Sequence, residues 1–336
     1  MLKGRIALIR YGVIGTGWIT GAFIGGAAKA GKLSLAAVYS RTRERGEEFA
    51  AKYGAVSVFT DLEEMAKSGE IDAVYIASPN SLHFSQSRLF LQNKKHVLCE
   101  KPISLNSEEA KRLIALAEEQ GVVFMEAIML LHFPFLKLLE EAVGEIGKIS
   151  LAKFDFSQLS SKYPAYLNGR IPNVFKAEFA GGSMMDLGIY CIYPVLHLFG
   201  EPENVLASAK KFPEGADAAA SAVLTYPDKL VNITCSKIGQ AYAPSEIQGD
   251  KGTILIDNIS TLRNMRIVYN DRSIKQLTED EDKETLMSYE AKSFSRYIES
   301  PQEYQRIYRY QQQLAVKVSA LLKQIRDLCG IKFPQE

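Results

Sequence analysis

The first third of the chain alternates wholly apolar runs with helical patterns, and this alternation limits the fold more than any other feature. Strands that are apolar throughout are covered on both faces, and intervening helices make them parallel with right-handed crossovers. Residues 1–125 are therefore predicted to form a doubly wound Rossmann sheet of the α/β class. The expected strands are 5–14, 33–40, 72–79, 96–102 and 121–129, with helices from about 18 to 30, over 42–54 and over 81–95, and a further helix capped by Asn106 with Glu109 as capping-box partner.

A glycine turn follows the first predicted strand. Gly15 permits the tight turn, and Gly17 lets a pyrophosphate approach the amides at the helix N-terminus. Thr20 stands where Gly or Ala is usual in this fingerprint. A structural turn is the alternative, but the position between a strand and a helix favours dinucleotide binding. The expected cofactor contacts here are Gly15, Thr16, Gly17, Trp18 and Ile19.

The second strand ends in Ser40, Arg41 and Thr42, with no acidic residue. NAD-binding sites usually carry Asp or Glu there, for the ribose 2′-hydroxyl. Arg41 could pair with a 2′-phosphate, while Ser40 and Thr42 donate hydrogen bonds. These residues favour NADP over NAD. The alternative is that Arg41 stacks on adenine or faces water.

Two more strand ends carry polar residues. Pro102 cannot join a strand ladder, so it stops the fourth strand and leaves Lys101 extended at the ligand-binding edge. Without the other motifs, a lysine at such a strand end is more often a solvent-exposed residue before a turn than a functional one. The preceding strand ends in Ser78 and Pro79, which are expected cofactor contacts. Asn80 and His83 follow and either contact the cofactor or cap the next helix; capping is favoured for His83.

The glycine turn, Pro79-Asn80 with His83, the Glu100-Lys101-Pro102 triplet and the segment 181–190 (GGSMMDLGIY) occur in one order and spacing. In these motifs the chain resembles the Gfo/Idh/MocA oxidoreductases, the group of glucose–fructose oxidoreductase and inositol dehydrogenase. The resemblance implies that Lys101 contacts the substrate hydroxyl and the nicotinamide ribose, and that Asp186 and Tyr190 complete the site. With Tyr at the last position of this motif, the chain resembles the subgroup of dihydrodiol dehydrogenase, xylose dehydrogenase and glucose–fructose oxidoreductase. Members of this subgroup mostly use NADP.

Alcohol oxidation removes a hydride and a proton, so this site needs a base. Tyr190 is interpreted as the general acid/base, with its pKa lowered by Lys101, while Asp186 fixes the substrate or the lysine. Exchanged roles for Lys101 and Tyr190 remain open. The structural alternatives are a helix-terminus charge for Asp186 and core packing for Tyr190. Glu100 is expected to hold the strand end by hydrogen bonding and to lie among the cofactor contacts.

Residues 126–336 are interpreted as a substrate-binding and oligomerisation domain with a large open, mostly antiparallel sheet and one face packed on helices. The resemblance implies that the free face forms a homodimer or homotetramer. The loop 160–179 could line the substrate pocket, although surface positions are the alternative for its polar residues Lys162, Arg170 and Asn173. The C-terminal helix, about 303–329, is expected to dock within the chain, with the first domain as one candidate surface. The predicted strands are 147–158, 219–227, 230–238, 252–258 and 265–271, with a hairpin turn at 226–229.

Composition excludes several function classes. The formal net charge of +1 gives no electrostatic basis for binding nucleic acid or an anionic membrane. By sequence, no apolar run is expected to reach the ~18 residues that span a bilayer, and the basic-then-apolar start is interpreted as a strand rather than a signal peptide. The four cysteines lie far apart and the four histidines lack metal-ligand spacing, which predicts reduced thiols, no metal and a cytoplasmic location.

Together these features predict an NAD(P)-dependent oxidoreductase, preferring NADP, that acts on a secondary alcohol of a sugar, polyol or dihydrodiol. The alternatives are a cofactor-bound regulator without activity and an NAD-dependent glycoside hydrolase of the same family.

Overall fold

The first sheet of the computed structural model, which describes residues 8–54 and 56–336, has six parallel strands. They are β1 (Ile9–Ile14), β2 (Leu33–Tyr39), β3 (Ser57–Phe59), β4 (Ala73–Ile76), β5 (His96–Glu100) and β6 (Phe124–Ala127). The order across the sheet is β3-β2-β1-β4-β5-β6. This is the doubly wound order, and its direction reverses between β1 and β4, where ligands bind at the carboxyl ends. The predicted Rossmann sheet is confirmed; positions 5–7 of the first expected strand lie outside the described residues.

Five helices cover this sheet: α1 (Trp18–Ala30), α2 (Arg43–Ala50), α3 (Leu62–Lys67), α4 (His83–Gln92) and α5 (Ser107–Gln120). Gly31, at φ 71°, ends α1 in the left-handed conformation that favours glycine. The Asn106 side chain accepts the Glu109 N–H at 2.9 Å, as expected of a cap. The carboxylate of Glu109 accepts the N–H of Leu105 instead of closing the predicted capping box. Strand β3 and helix α3 are not among the predicted elements, because they have only 3 and 6 residues.

The second sheet has eight strands in the order β14-β13-β12-β11-β7-β10-β9-β8. All neighbours are antiparallel except β7 and β10. The predicted hairpin turn is present, with the N–H of Tyr226 bonded to the carbonyl of Lys229 at 3.0 Å. The mostly antiparallel second sheet is thus confirmed. Its strands are β7 (Ile149–Ser157), β8 (Asn204–Lys211), β9 (Asp217–Thr225), β10 (Leu230–Ser236), β11 (Ser245–Gly249), β12 (Gly252–Ile256), β13 (Arg266–Tyr269) and β14 (Ile274–Gln276).

The remaining helices are α6 (Leu136–Glu145), α7 (Tyr163–Leu167), α8 (Ile189–Phe199), α9 (Lys283–Glu299) and α10 (Pro301–Leu328). The last two return to the first domain. Helix α9 packs along α1, and the Tyr308 hydroxyl of α10 bonds both the N–H and the carbonyl of Phe124 in β6, at 2.9 and 3.0 Å. The fully buried Arg326 donates to the carbonyl of Leu105 and to the carboxylate of Glu336.

One stretch among the described residues, Ala177–Phe199, is helical, long and apolar enough to cross a bilayer. The sequence analysis found no such run. However, 83% of its apolar window is buried inside the protein, and α8 within it lies against β7 and β10. It is therefore accounted for as a core helix.

The contact between α1 and α9 depends on the absence of a side chain at Gly26. A Cβ there would lie 2.6 Å from the Cβ of Met287 and 3.0 Å from the backbone nitrogen of Ser288. Backbone atoms cannot move aside as the end of a flexible side chain can. We therefore expect Gly26→Ala to lower the free energy of unfolding by about 1–3 kcal/mol, measured by urea denaturation.

The matched control is Gly144→Ala in α6. A Cβ at Gly144 would meet nothing within 4 Å, so this variant should be neutral or stabilising by up to about 1 kcal/mol. Equal stability of the two variants would contradict the packing described for α1 and α9.

Candidate active site

Three side chains from distant parts of the sequence meet at the carboxyl end of β5. The Lys101 ammonium donates to Asp186 Oδ1 at 2.7 Å and to the Asp186 carbonyl at 2.9 Å. It also lies 4.9 Å from the centroid of the Tyr190 ring. The side chain of Lys101 is only 11% exposed, so it is not the solvated lysine of the structural alternative.

The Gly181-Gly182 turn brings Asp186 to this position. A Cβ on Gly181 would lie 2.5 Å from the carbonyl oxygen of Val174, and Gly182 has φ 125° with its open side against Asp217. The buried Asp217 carboxylate then accepts the Ser183 hydroxyl at 2.5 Å and the Met184 N–H at 2.7 Å. These bonds fix the start of the helical segment that carries Asp186.

The segment that carries Asp186 does not begin as a regular α-helix. Met184–Gly188 forms a π-helical turn, and α8 starts only at Ile189. Single π-turns within helices are frequent at functional sites. Asp186 and Tyr190 nevertheless both reach Lys101, so the expected convergence does not need regular α-helical spacing.

A second lysine, Lys237, bonds the other oxygen of Asp186. It lies directly after β10, and its side chain is 6% exposed. Sequence reasoning missed it, because a lysine after a strand is an ordinary surface residue. The parallel pairing of β10 with β7 is what brings this strand end to the site.

The Asp186 carboxylate therefore has one ammonium on each oxygen. Burial by itself would raise the pKa of Asp186, but Lys101 and Lys237 together hold it well below its ordinary value. Burial would lower the pKa of Lys101, yet Asp186, Tyr190 and Glu100 raise it overall. Lys101 is consequently charged at neutral pH.

The predicted lowering of the Tyr190 pKa is wrong in direction. Burial raises the pKa of Tyr190 above its usual value, and Lys101 opposes this only in part. The reason is that Asp186 already neutralises the ammonium, while Glu100 and Asp186 disfavour a phenolate. The site thus holds both Lys101 and Tyr190 protonated.

Glu100 anchors the end of β5, as expected. Its carboxylate accepts the hydroxyl of Tyr75 in β4 at 2.5 Å. The Tyr75 ring in turn stacks on Phe23 of α1, with 3.9 Å between ring centroids. The strand end, the neighbouring strand and the helix after the glycine turn are therefore held together.

The glycine turn has the shape that a pyrophosphate needs. Gly15 has φ 102°, and a Cβ there would lie 2.5 Å from the carbonyl oxygen of Ala77. A Cβ on Gly17 would meet nothing within 4 Å, and no side chain caps α1. The first amides of α1 are thus open to an anion, and Trp18 beside them is 75% exposed. Thr20, by contrast, is fully buried inside the helix.

The second strand end also leaves donors available. Arg41 is exposed, and its guanidinium forms no hydrogen bond or ion pair with any described residue. Ser40 is buried at the strand end. Thr42 precedes α2 without using its hydroxyl as a cap. This arrangement fits a 2′-phosphate.

The residues after β4 are used differently from the prediction. The His83 ring lies between the carbonyl oxygens of Ser78 and Pro102, 2.8 Å from each, and is almost completely buried. It links two loops, so the favoured capping role is wrong for His83, while a cofactor contact by His83 stays a prediction. The amide of Asn80 donates to the carbonyl of Ala180 at 2.8 Å and joins the two domains, instead of capping.

The loop 160–179 carries its predicted polar residues on the surface, and their contact with the substrate stays a prediction. Lys162, Arg170 and Asn173 are exposed, and their side chains form no hydrogen bond with the described chain. The loop is instead held by an aromatic cluster of Tyr163, Tyr166, Phe175 and Phe212. Within residues 8–54 and 56–336, no group of three or more His, Cys, Asp or Glu side chains could hold a metal ion.

Behind the site, Glu126 of β6 is a buried carboxyl. It accepts the N–H of Ile103 at 3.0 Å and the hydroxyl of Tyr193. Burial raises its pKa from 4.5 to about 7, more than these bonds lower it. A carboxyl with a raised folded-state pKa binds its proton more tightly in the folded state. Its contribution to stability is therefore present below pH 4.5 and is lost as the pH rises to 7.

We therefore expect Glu126→Gln, which keeps shape and hydrogen bonding, to reduce the fall in stability between pH 4.5 and 7 by up to about 3 kcal/mol. Urea denaturation at several pH values would measure this difference. The exposed Glu118→Gln serves as control and should follow the wild-type curve. Parallel curves for wild type and Glu126→Gln would show that Glu126 does not titrate in this window.

Comparison with known proteins identifies the family. Residues 9–128 match the family described as "Oxidoreductase family, NAD-binding Rossmann fold", and residues 139–255 match the "GFO/IDH/MocA C-terminal domain". The chain is 39% identical over 329 residues to scyllo-inositol 2-dehydrogenase (NADP(+)) IolU of Bacillus subtilis, covering 98% of this chain and 99% of that one. It is 31% identical over 258 residues to trans-1,2-dihydrobenzene-1,2-diol dehydrogenase of Mus musculus, covering 75% of each chain.

A solved structure supports the fold. KijD10, a 3-ketoreductase from Actinomadura kijaniata crystallised with NADP and TDP-benzene, superposes with a TM-score of 0.84 at 22% identity. The alignment covers 96% of this chain and 98% of that one. The resemblance seen in the sequence motifs is confirmed: the chain belongs to the GFO/IDH/MocA family of oxidoreductases, with an NAD-binding Rossmann domain at its N-terminal side.

Proposed function

We propose that this protein is an NADP-preferring oxidoreductase that transfers a hydride between nicotinamide and a secondary alcohol of a sugar, polyol or dihydrodiol. The observation that carries the proposal is the Lys101, Asp186 and Tyr190 cluster at the carboxyl end of β5. The relatives named for inositol and dihydrobenzenediol support a substrate whose ring carries neighbouring hydroxyls.

In this proposal the bound nicotinamide supplies or accepts the hydride, and the chain handles the proton. Lys101 Nζ and Tyr190 Oη are the two groups placed to exchange it with the substrate oxygen. Both are protonated at neutral pH, so either can donate a proton to a carbonyl during reduction. Oxidation first requires one of them to lose its proton, and alcohol oxidation should therefore quicken as the pH rises. Asp186 is the positioning residue for Lys101.

Cofactor binding is assigned to three strand ends. The turn Gly15, Thr16, Gly17, with Trp18 and Ile19, receives the pyrophosphate. Ser40, Arg41 and Thr42 receive the adenosine 2′-phosphate, which favours NADP. Lys101 contacts the nicotinamide ribose; Glu100, Ser78, Pro79 and Asn80 shape this end of the cleft through their protein contacts.

Self-association through the outer face of the second sheet, as a homodimer or homotetramer, is part of the proposal, as is a cytoplasmic location. Strands β8, β10 and β14 expose Leu206, Leu230 and Ile274. Apolar side chains on one open sheet favour association with a second copy.

The test of the function is a panel of inositols, sugars and dihydrodiols, followed by reduced-cofactor absorbance with NADP and NAD in parallel. We expect turnover of at least one ring polyol, faster with NADP. In Lys101→Met, kcat/KM should fall at least ~100-fold, because proton transfer and substrate orientation are lost together. Lys67→Met, at an exposed lysine of α3 outside the proposed association surface, is the matched control and should retain activity. Full turnover by Lys101→Met would overturn the mechanism.

A separate prediction concerns Lys237. In Lys237→Met the Asp186 carboxylate keeps one ammonium instead of two, so its negative charge acts more strongly on Lys101 and Tyr190. Their pKa values should rise, and the pH at which alcohol oxidation accelerates should move upward by roughly one unit. The pH–rate profile measures this shift. Lys237→Arg should restore the wild-type profile, and an unshifted profile in Lys237→Met would contradict the electrostatic role.

A further inference from the structure

Lys283 is the first residue of α9, and its ammonium group lies beside the glycine turn with only a weak hydrogen-bond acceptor among the described residues. Its Nζ lies 5.8 Å from the centroid of the Trp18 ring. Trp18 is the first residue of α1 and directly follows Gly17. The hydrogen-bond partner of Nζ within the described residues is the sulfur of Met129, at 3.3 Å. A thioether is a weak acceptor, whereas an ammonium has three donors.

The ammonium is not explained by pairing with nearby carboxylates. Glu100 and Glu290 face it and raise its pKa, Lys101 lowers it, and burial, the largest effect, leaves the pKa of Lys283 below its ordinary value. Yet Glu100 bonds Tyr75, and both oxygens of the fully buried Glu290 have no hydrogen-bond partner in the described chain. If Lys283 served to neutralise Glu290, a bond between them would be expected.

We propose that Lys283 donates hydrogen bonds to the pyrophosphate of the bound dinucleotide. The inference rests on the proposed function, because it assigns a residue outside the Rossmann domain to the same cofactor. Trp18 stands at the uncapped start of α1, and the Lys283 ammonium of α9 lies over its ring. The free amides of α1 and this ammonium are therefore neighbours. An anion at the amides would give the ammonium the strong acceptor that Met129 does not provide.

This assignment also gives α9 a role in cofactor binding. Helix α9 packs closely on α1 at Gly26. In addition, Lys29 of α1 forms hydrogen bonds with Asp282 and Thr285 at the start of α9. Lys283 is therefore held by an element whose position relative to α1 is fixed. A preordered cation loses little freedom when the ligand binds.

The experiment compares wild type with Lys283→Met by titration calorimetry against two ligands. One is NADPH, and the other is 2′-phospho-ADP-ribose, which has the pyrophosphate but no nicotinamide. We expect both affinities to fall by about tenfold or more, the effect of losing a charged hydrogen bond. Lys283→Arg should retain most of the affinity. Lys292→Met is the matched control, since Lys292 lies on the same helix with its Nζ 5.5 Å from the Tyr289 ring.

A second readout uses Trp18, the single tryptophan of the chain. Reduced nicotinamide absorbs where tryptophan emits, so quenching of Trp18 by NADPH gives an independent binding curve, which should shift by the same factor. Thermal unfolding of each variant without ligand identifies a purely structural effect. If Lys283→Met does not fold, Lys283→Gln takes its place.

Wild-type affinity in Lys283→Met overturns the inference, with or without a lower Tm. Loss of affinity for NADPH alone, with 2′-phospho-ADP-ribose unaffected, overturns the pyrophosphate assignment by placing the contact at the nicotinamide half. Failure of the wild type to bind either ligand instead refutes the proposed function.

Discussion

The carboxylate of Asp186, held between the nearly buried ammonium groups of Lys101 and Lys237, is the interaction on which the rest of the site depends. Removing ions from water costs several kcal/mol each, so such groups persist only where their partners are placed accurately. Here the partners come from both sheets: Lys101 follows β5 of the parallel sheet, and Lys237 follows β10 of the second sheet. The cluster therefore joins the ends of a strand from each sheet, and so connects the two domains.

The surrounding backbone shows how that placement is achieved. Two glycines allow a turn that no side chain could enter, and the buried Asp217 secures the turn that leads to Asp186. On the other side, His83 and Glu100 tie the loops at the carboxyl ends of β4 and β5 to each other and to α1 through Tyr75. The polar groups around the cleft thus divide into those that bond within the protein and those without a partner in the described chain, such as Arg41 and the first amides of α1.

Sequence reasoning recovered what depends on local patterns. Apolar runs and the glycine turn predicted the parallel sheet, and the family motifs predicted that Lys101, Asp186 and Tyr190 meet. Lys237 carried no signal, because only the parallel pairing of β7 with β10 gives it a role. The pKa of Tyr190 was assigned the wrong direction, since its burial and the neutralisation of Lys101 exist only in the folded chain. His83 was misjudged for a related reason: its partners, Ser78 and Pro102, belong to two separate loops.

The return of the last two helices to the first domain has a consequence for motion. Helix α9 leaves the second sheet after β14 and lies along α1, while α10 is bonded to β6 through Tyr308. A wide hinge opening would have to separate these helices from the first domain, or α10 from α8 and β8 of the second domain, and expose the apolar surface between them. The contacts of α9 and α10 therefore favour a cleft of nearly constant width. Ligands would then enter and leave it through small local rearrangements of loops.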